Sequence, residues 1–243
     1  MELRDAAPVA QLRELAQRYP RWGYRRALVM LRRQGTIMSK NRVHRLWKKA
    51  ELQVPARRRR RRGGKRDPMT IVATRPNQVW AYDFVFDSCL NGEKLKCLTI
   101  VDEFTQEVLA IDVAGSIRSQ RVIDLLARLI ATRGAPMLIR SDNGPEFIAQ
   151  VVKDWLEEKG VRTAFIEPGK PWQNAKIESF NGRFRDECLN QECFFNRAEA
   201  RVIIEDFRKE FNQLRPHGSL ANKTPLEFYR DFRQENNQLR LTA

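Results

Sequence analysis

The chain predicts an α/β domain, a mixed sheet flanked by helices, behind a small all-α module of the helix-turn-helix kind. Three observations carry that expectation. Charge is split: residues 1–66 hold 21 Lys/Arg against 4 Asp/Glu, whereas residues 67–243 hold 24 against 26. Trp80–Phe86 alternates strictly, with Trp80, Tyr82, Phe84 and Phe86 on one side and Ala81, Asp83 and Val85 on the other, the period of a strand. Beyond it the pattern runs strand, strand, helix, strand, helix, strand, helix, an order that builds a mixed sheet with helices packed on it.

Residues 1–54 read as three short helices. Pro8–Arg18 carries Leu12, Leu15 and Ala16; Gly23–Gln34 carries Tyr24, Ala27, Leu28 and Leu31 and ends at Gly35. The third follows Ser39, an N-cap residue, and turns Val43, Leu46, Trp47 and Ala50 inward. Its outer face, Asn41, Arg45 and Lys48 with Lys40 and Arg42 close by, suits a recognition helix whose cations meet phosphates. His44 reads as a surface or half-buried residue rather than a ligand or base. Residues 55–76 form an arginine-rich linker in which Arg57, Arg58, Arg59, Arg60, Arg61 and Arg62 are consecutive. Six adjacent like charges cannot pack, and such a run can track phosphates or a minor groove.

Residues 77–235 hold the larger domain. Leu95–Val101 and Val108–Val113 extend the Trp80 strand into an antiparallel meander. A helix spans Ser119–Arg133 and closes at Gly134; a strand spans Met137–Arg140. Phe147–Lys159 reads as a helix with Val151, Trp155 and Leu156 facing inward, and Val161–Ile166 as the last strand.

The chemistry concentrates between Arg140 and Arg185. Asp142 stands where the Met137 strand gives way to a loop, and Asn143-Gly144-Pro145 is a turn signal behind it. Separated from it by thirty-five residues, Glu178 lies on a helix with Asn174 as the candidate N-cap. On that helix Ile177, Phe180, Phe184 and Cys188 keep a buried spacing, and Asn174, Glu178, Asn181 and Arg185 keep the neighbouring one. Asp83, mid-strand, is costly to bury unless paired or bound to a cation. Asp83, Asp142 and Glu178 thus come from three elements as hard oxygen donors that suit two Mg²⁺ or Mn²⁺ ions. Lys176 and Arg185 on the same helix are candidate DNA contacts, with a hold on Glu178 as the alternative for Arg185. Asp102 reads as a turn acid, Glu146 as a first-turn helix acid, and His217 beside Pro216 as a turn-fixing residue.

Several classes are excluded. No run approaches the length of a membrane span, and Met1–Pro20 lacks the apolar core of a signal peptide. The cysteines at 89, 97, 188 and 193 form no C-x-x-C pair and lie far from both histidines, so neither a zinc site nor a disulfide framework is expected. A reducing cytoplasm, at the nucleoid, is the expected setting.

Trp80-Ala-Tyr-Asp83, Ser141-Asp142-Asn143-Gly144-Pro-Glu-Phe147 and Asn174-Ala-x-x-Glu178-Ser-Phe-Asn181 resemble the retroviral-integrase-like transposases with an Asp-Asp-Glu triad. Within them the chain resembles the B-frame protein of two-reading-frame bacterial insertion sequences, the IS-three family. Arg185 stands where that family carries a Lys or Arg. Phe211-Asn-Gln-x-Arg215-Pro-His-x-x-Leu220, Thr224-Pro-x-Glu-Phe228, Trp22-Gly-Tyr-Arg-Arg26 and Arg42-Val-x-Arg-Leu-Trp47 match as well. The resemblance implies an RNase H-like core that nicks element ends and joins 3′-hydroxyls to target DNA. It also implies an assembly of several protomers and an upstream-frame DNA-binding protein, separate or fused by frameshifting. The alternatives are a DNA-binding regulator with an inactive integrase-like core and a nuclease that only hydrolyses.

Overall fold

The computed structural model describes residues 3–55, 71–142, 144, 149–166 and 171–241. The arginine run 57–62, Asn143, Pro145, Glu146 and Phe147 lie outside the described residues. Contacts separate two compact units. One holds the first three helices together with Arg215–Lys223; the other holds the sheet and the remaining helices.

In the helical unit, α1 spans Leu3–Arg18, α2 Tyr24–Arg33 and α3 Lys40–Lys49. α1 begins five residues before Pro8, which therefore sits inside it rather than at its start. The proline forfeits one backbone bond, and Val9, Leu12 and Leu15 hold the helix by burial instead. Gly35, at φ +84°, turns the chain out of α2, and the Thr36 N–H reaches back to the Leu31 carbonyl at 2.8 Å, a left-handed cap that glycine accommodates. Ser39 Oγ accepts from the Arg42 N–H at 3.3 Å and starts α3 as expected. Leu12, Leu31, Val43, Leu46 and Trp47 are buried together, so the amphipathic faces meet in one small core. At His217 the backbone closes the turn foreseen there: its carbonyl accepts from Leu220 and Asn222, and its N–H donates to Lys223 O.

The second unit is built on a five-stranded sheet in the order β3-β2-β1-β4-β5. β1 (Val79–Ser88), β2 (Lys94–Asp102) and β3 (Val108–Ala114) form the antiparallel meander, and β4 (Leu138–Ser141) and β5 (Arg162–Phe165) add in parallel beyond β1. α4 (Ser119–Arg133) and α5 (Gln150–Glu158) bury one face with Trp80, Tyr82, Leu98, Ile100, Leu126 and Leu156. α6 (Ala175–Phe184) and α7 (Arg197–Gln213) bury the other with Ala81, Val85, Cys97, Phe180, Phe184 and Phe211. Phe180 meets Phe211 edge to face at 5.1 Å, a pairing worth about 0.5–1.5 kcal/mol beyond area burial. α8 (Pro225–Leu241) sets Phe228 and Phe232 against Phe104 at 5.3 and 5.1 Å.

Two expectations are corrected here. α5 buries Leu156 and packs Trp155 against the same core as expected, but Val152 is buried in place of Val151, which is exposed at 52%. Asn174 occupies the N-cap position of α6 but its side chain makes no capping bond; a 3₁₀ turn, Pro171–Asn174, leads into the helix instead.

The outer edge at β3 is closed by α7. Asn212 Oδ1 accepts the Val108 N–H at 2.9 Å while its Nδ2 donates to the Val108 carbonyl at 2.9 Å. A side-chain amide there replaces the missing strand neighbour, which protects an edge that would otherwise invite pairing with another chain.

Candidate active site

β1 positions the first acid. Asp83 shares the sheet face of Ala81 and Val85, the face covered by α6 and α7. The parallel register between β1 and β4 pairs Trp80 with Ile139 and Ala81 with Arg140. The pairing ends there, two residues short of Asp83 on β1 and of Asp142, the first residue past β4, and the Asp142 charge acts on the Asp83 carboxyl. Tyr82 on β1 hydrogen-bonds Ser141 on β4, one residue before each acid. Asp142 is exposed, and its Oδ1 accepts the Gly144 N–H at 2.9 Å, an Asx turn that holds the carboxylate at the strand end.

The third acid comes from α6. Ile177, Phe180 and Phe184 anchor the helix in the core, and Glu178 is exposed beside that stripe. Asn181, three residues on and hence on the same side of the helix, donates Nδ2 to Asp83 Oδ2 at 2.8 Å. One hydrogen bond therefore ties the helix that carries Glu178 to the strand that carries Asp83. Asp83 Oδ1 accepts the Phe84 N–H at 2.7 Å.

Electrostatics report the same convergence. Burial pushes the Asp83 carboxyl up to about 6, the charges of Asp142 and Glu178 add to the rise, and the Phe84 N–H and the Asn181 amide oppose it. Among the described residues no three carboxylate, histidine or cysteine side chains close on one point as a bound ion requires. The donor chemistry nevertheless fits a hard divalent cation. The set is oxygen only and triply acidic, and its most buried member carries charge that two neutral donors do not offset.

Other candidates separate clearly. Asp102 Oδ1 accepts from Phe104 N and Thr105 N at 2.9 Å each, and its Oδ2 accepts from Asn77 N at 2.7 Å. It is a turn acid with its lone pairs engaged. Arg185 turns to the end of β1, donating to Phe86 O at 2.8 Å and approaching Asp87 at 3.6 Å. It opens a π turn, Arg185–Leu189, that continues α6. Lys40, Asn41, Arg45 and Lys48 are exposed on α3, and His44 beside them is also exposed, its ring 4.6 Å from Tyr24. Arg42 is half buried and donates to Asp5 Oδ1 from Nη2 at 2.7 Å and from Nε at 3.2 Å, joining α3 to α1. Lys176 is exposed two residues before Glu178.

Asn181 and Thr99 are the two residues around Asp83 to which sequence pattern alone assigns no role. Asn181 was visible as the i+3 neighbour of Glu178. Thr99 carries no local signal, because its meaning is its register opposite Asp83.

Comparison with known proteins agrees with this architecture. An integrase core domain model matches residues 73–171, a second model of the same description matches residues 159–225, and an HTH-like domain model matches residues 2–61. The chain is 43% identical over 230 residues to the insertion element IS476 uncharacterized 39.2 kDa protein of Xanthomonas euvesicatoria, covering 94% of this chain and 66% of that one. It is 44% identical over 222 residues to the insertion element IS407 uncharacterized 31.7 kDa protein of Burkholderia multivorans, covering 90% and 79%. It is 27% identical over 165 residues to the transposase for insertion sequence element IS629 of Shigella sonnei, covering 68% and 55%. The chain thus spans just under two thirds of the first of these relatives and over half of the last. Among solved structures, the simian T-cell lymphotropic virus intasome in complex with PP2A regulatory subunit B56 gamma shares the fold, with a TM-score of 0.53 and 18% identity over 83% of this chain and 70% of that one. No helix among the described residues is long and apolar enough to cross a membrane.

Proposed function

We propose that this chain, which belongs to the insertion-element transposases with an HTH-like domain and an integrase core, nicks the ends of its element and joins their 3′-hydroxyls to target DNA. Asp83, Asp142 and Glu178 are its catalytic acids and would hold two Mg²⁺ or Mn²⁺ ions. When bound, such ions activate a water or a 3′-hydroxyl and stabilise the leaving oxygen of a phosphodiester.

The protein's own work is positioning. Asp83 is fixed from two sides by Phe84 N–H and Asn181. Asp142 is held at the strand end by its Asx turn. Glu178 stands on a helix locked by three buried apolar residues, which holds a catalytic group better than a mobile loop would. Asp142 and Glu178 are exposed, so a polymeric substrate can reach them. DNA is brought to them by the basic first quarter of the chain, with α3 in the major groove and the arginine run on phosphates. The reading also carries assembly of several protomers on paired ends, and action with, or as a fusion to, an upstream-frame DNA-binding protein.

The observation that supports it most is the bond from Asn181 that ties α6 to Asp83, together with the charges of Asp142 and Glu178 acting on that same carboxyl. The test incubates the full chain with linear DNA bearing the inverted repeats that flank its gene, with Mg²⁺, with Mn²⁺ and with chelator. Joined products that need the cation are expected. Joining in chelator overturns the metal reading; cleavage without joining favours a nuclease; end binding with neither favours a regulator.

A further inference from the structure

Behind Asp83 lies a polar contact that the proposed chemistry does not use directly. Thr99 on β2 is the cross-strand partner of Asp83 and is fully buried, at 0% exposure. Its Oγ1 stands 3.0 Å from Asn181 Oδ1 and 3.1 Å from the Asp83 carbonyl. A hydroxyl has one proton to give. On the far side of the same amide, Asn181 Nδ2 donates to Asp83 Oδ2 at 2.8 Å. If the amide were reversed, its oxygen would face the carboxylate, two acceptors with no proton between them. With Asp83 ionised the amide therefore has one satisfied orientation: Asn181 donates to Asp83 and turns its oxygen to Thr99, whose one proton goes to that oxygen or to the Asp83 carbonyl.

We propose that Thr99 and Asn181 are positioning residues that act in series, the hydroxyl fixing the amide and the amide aiming the Asp83 carboxylate for a divalent cation. An ionised carboxylate offers about four lone-pair directions. The chain occupies one on Oδ1, through Phe84 N–H, and one on Oδ2, through Asn181. Two remain for a cation. The amide also bridges the helix bearing Glu178 to β1, whereas the Thr99 hydroxyl touches neither carboxylate and can reach that of Asp83 only through Asn181. Groups that hold a metal ligand in place commonly matter about 10–100-fold in metal affinity.

This inference rests on the metal-binding reading of the three acids, and the experiment separates the two. Mn²⁺ binding to the full chain is measured by titration calorimetry, without DNA, for the parent and for Thr99→Val, Thr99→Ser, Asn181→Ala, Thr99→Val/Asn181→Ala and Asp83→Asn. Valine keeps the shape of threonine and removes the proton; serine keeps the proton. Thr99→Val and Asn181→Ala should each weaken Mn²⁺ binding about tenfold. Thr99→Ser should restore it, and the double variant should be no weaker than Asn181→Ala alone. Parent-like affinity in Asn181→Ala, or in a folded Thr99→Val, overturns the proposal. So does an additive loss in the double variant, because Thr99 would then act through packing. Should Thr99→Val fail to fold, Asn181→Ala against the parent decides. Asp83→Asn with undiminished Mn²⁺ affinity removes the metal reading and this inference with it, whereas loss in Asp83→Asn alone removes only the positioning in series.

Discussion

Arg140 Nη1 donates to both oxygens of Glu103, at 2.6 and 2.9 Å, and both side chains are buried. Its Nη2 reaches the Ile71 carbonyl at 2.9 Å. Burial pushes the Glu103 carboxyl above its ordinary value while Arg140 pulls it back, and burial prevails. Desolvation of both ions weighs against the attraction between them, a common balance for buried pairs. Removing one partner is another matter, since it strands the other charge.

Glu103→Gln or Arg140→Met alone should cost about 3–5 kcal/mol, and Glu103→Leu/Arg140→Met together should recover most of it. Urea midpoints of the single and double variants check this. Additive losses would mean that the two residues are not one unit. Arg140 also stands two residues before Asp142 on β4, so its single loss should depress strand joining more than the unfolded fraction accounts for.

Asp83→Asn, Asp142→Asn and Glu178→Gln should each abolish nicking and joining with DNA binding largely kept. Asp102→Asn divides the other way. Asp102 holds three backbone N–H groups of the turn between β2 and β3 and of Asn77. An amide cannot accept from all of them as a carboxylate does, so stability should fall by about 1–3 kcal/mol while the folded fraction stays active. An inactive but fully stable Asp102→Asn, beside an active Asp142→Asn, would exchange their roles.

What could be read beforehand depended on how far apart the determinants lie. The Trp80–Phe86 alternation and the Ser119–Arg133 spacing are local, and β1 and α4 follow them closely. Asp83, Asp142 and Glu178 could be singled out because each sits at a recognisable place in its own element. Partners across the fold left no such mark. Arg185 keeps helical spacing with Glu178, yet its guanidinium goes to Phe86 and Asp87, a choice made by the packing of α6 on β1. Arg42 looked like one more cation on a basic face until Asp5, on another helix, claimed it. Val151 and Val152 are equally apolar, and only the tilt of α5 on the sheet decides which is buried.

The raised Asp83 carboxyl makes stability depend on pH with a definite sign. Its folded value is about 6 against an ordinary 3.8, so between those values the folded chain binds more protons than the unfolded one. Stability contributed by this group is present below pH 3.8 and declines as pH rises to about 6. Above that value Asp83 is ionised, and a divalent cation should restore what was lost. The rise in Tm on adding Mn²⁺ should therefore be large at pH 7.5, small at pH 5, and small at both in Asp83→Asn. An equal rise at pH 5 and 7.5 would place the cation elsewhere. The measurement needs no DNA and no turnover.

The cations of the helical unit divide by what they already touch, and salt dependence tells them apart. Arg45 and Lys48 are exposed on the outer face of α3, and Lys40 is exposed at its start. Arg42, in the same stretch, is committed to Asp5 at 2.7 Å, with Arg45 only approaching that carboxylate at 3.7 Å. Each cation that neutralises a phosphate contributes about 0.9 to the slope of log K against log salt. Lys48→Ala and Lys40→Ala should each lower that slope by about one, weaken binding to all sequences alike and leave Tm unchanged. Asn41→Ala should leave the slope alone and erode the preference for element ends, since an amide reads base edges rather than phosphate charge. Arg42→Ala should instead lower Tm, because it frees Asp5 and unties α3 from α1, with a slope like that of the parent wherever the unit remains folded. A shallower slope at unchanged Tm in Arg42→Ala would mean that the arginine leaves Asp5 for a phosphate when DNA arrives. The decisive comparison is Arg42→Ala beside Lys48→Ala, measured by fluorescence anisotropy on one duplex across a salt series, with the melting curve of each variant recorded in the same buffers.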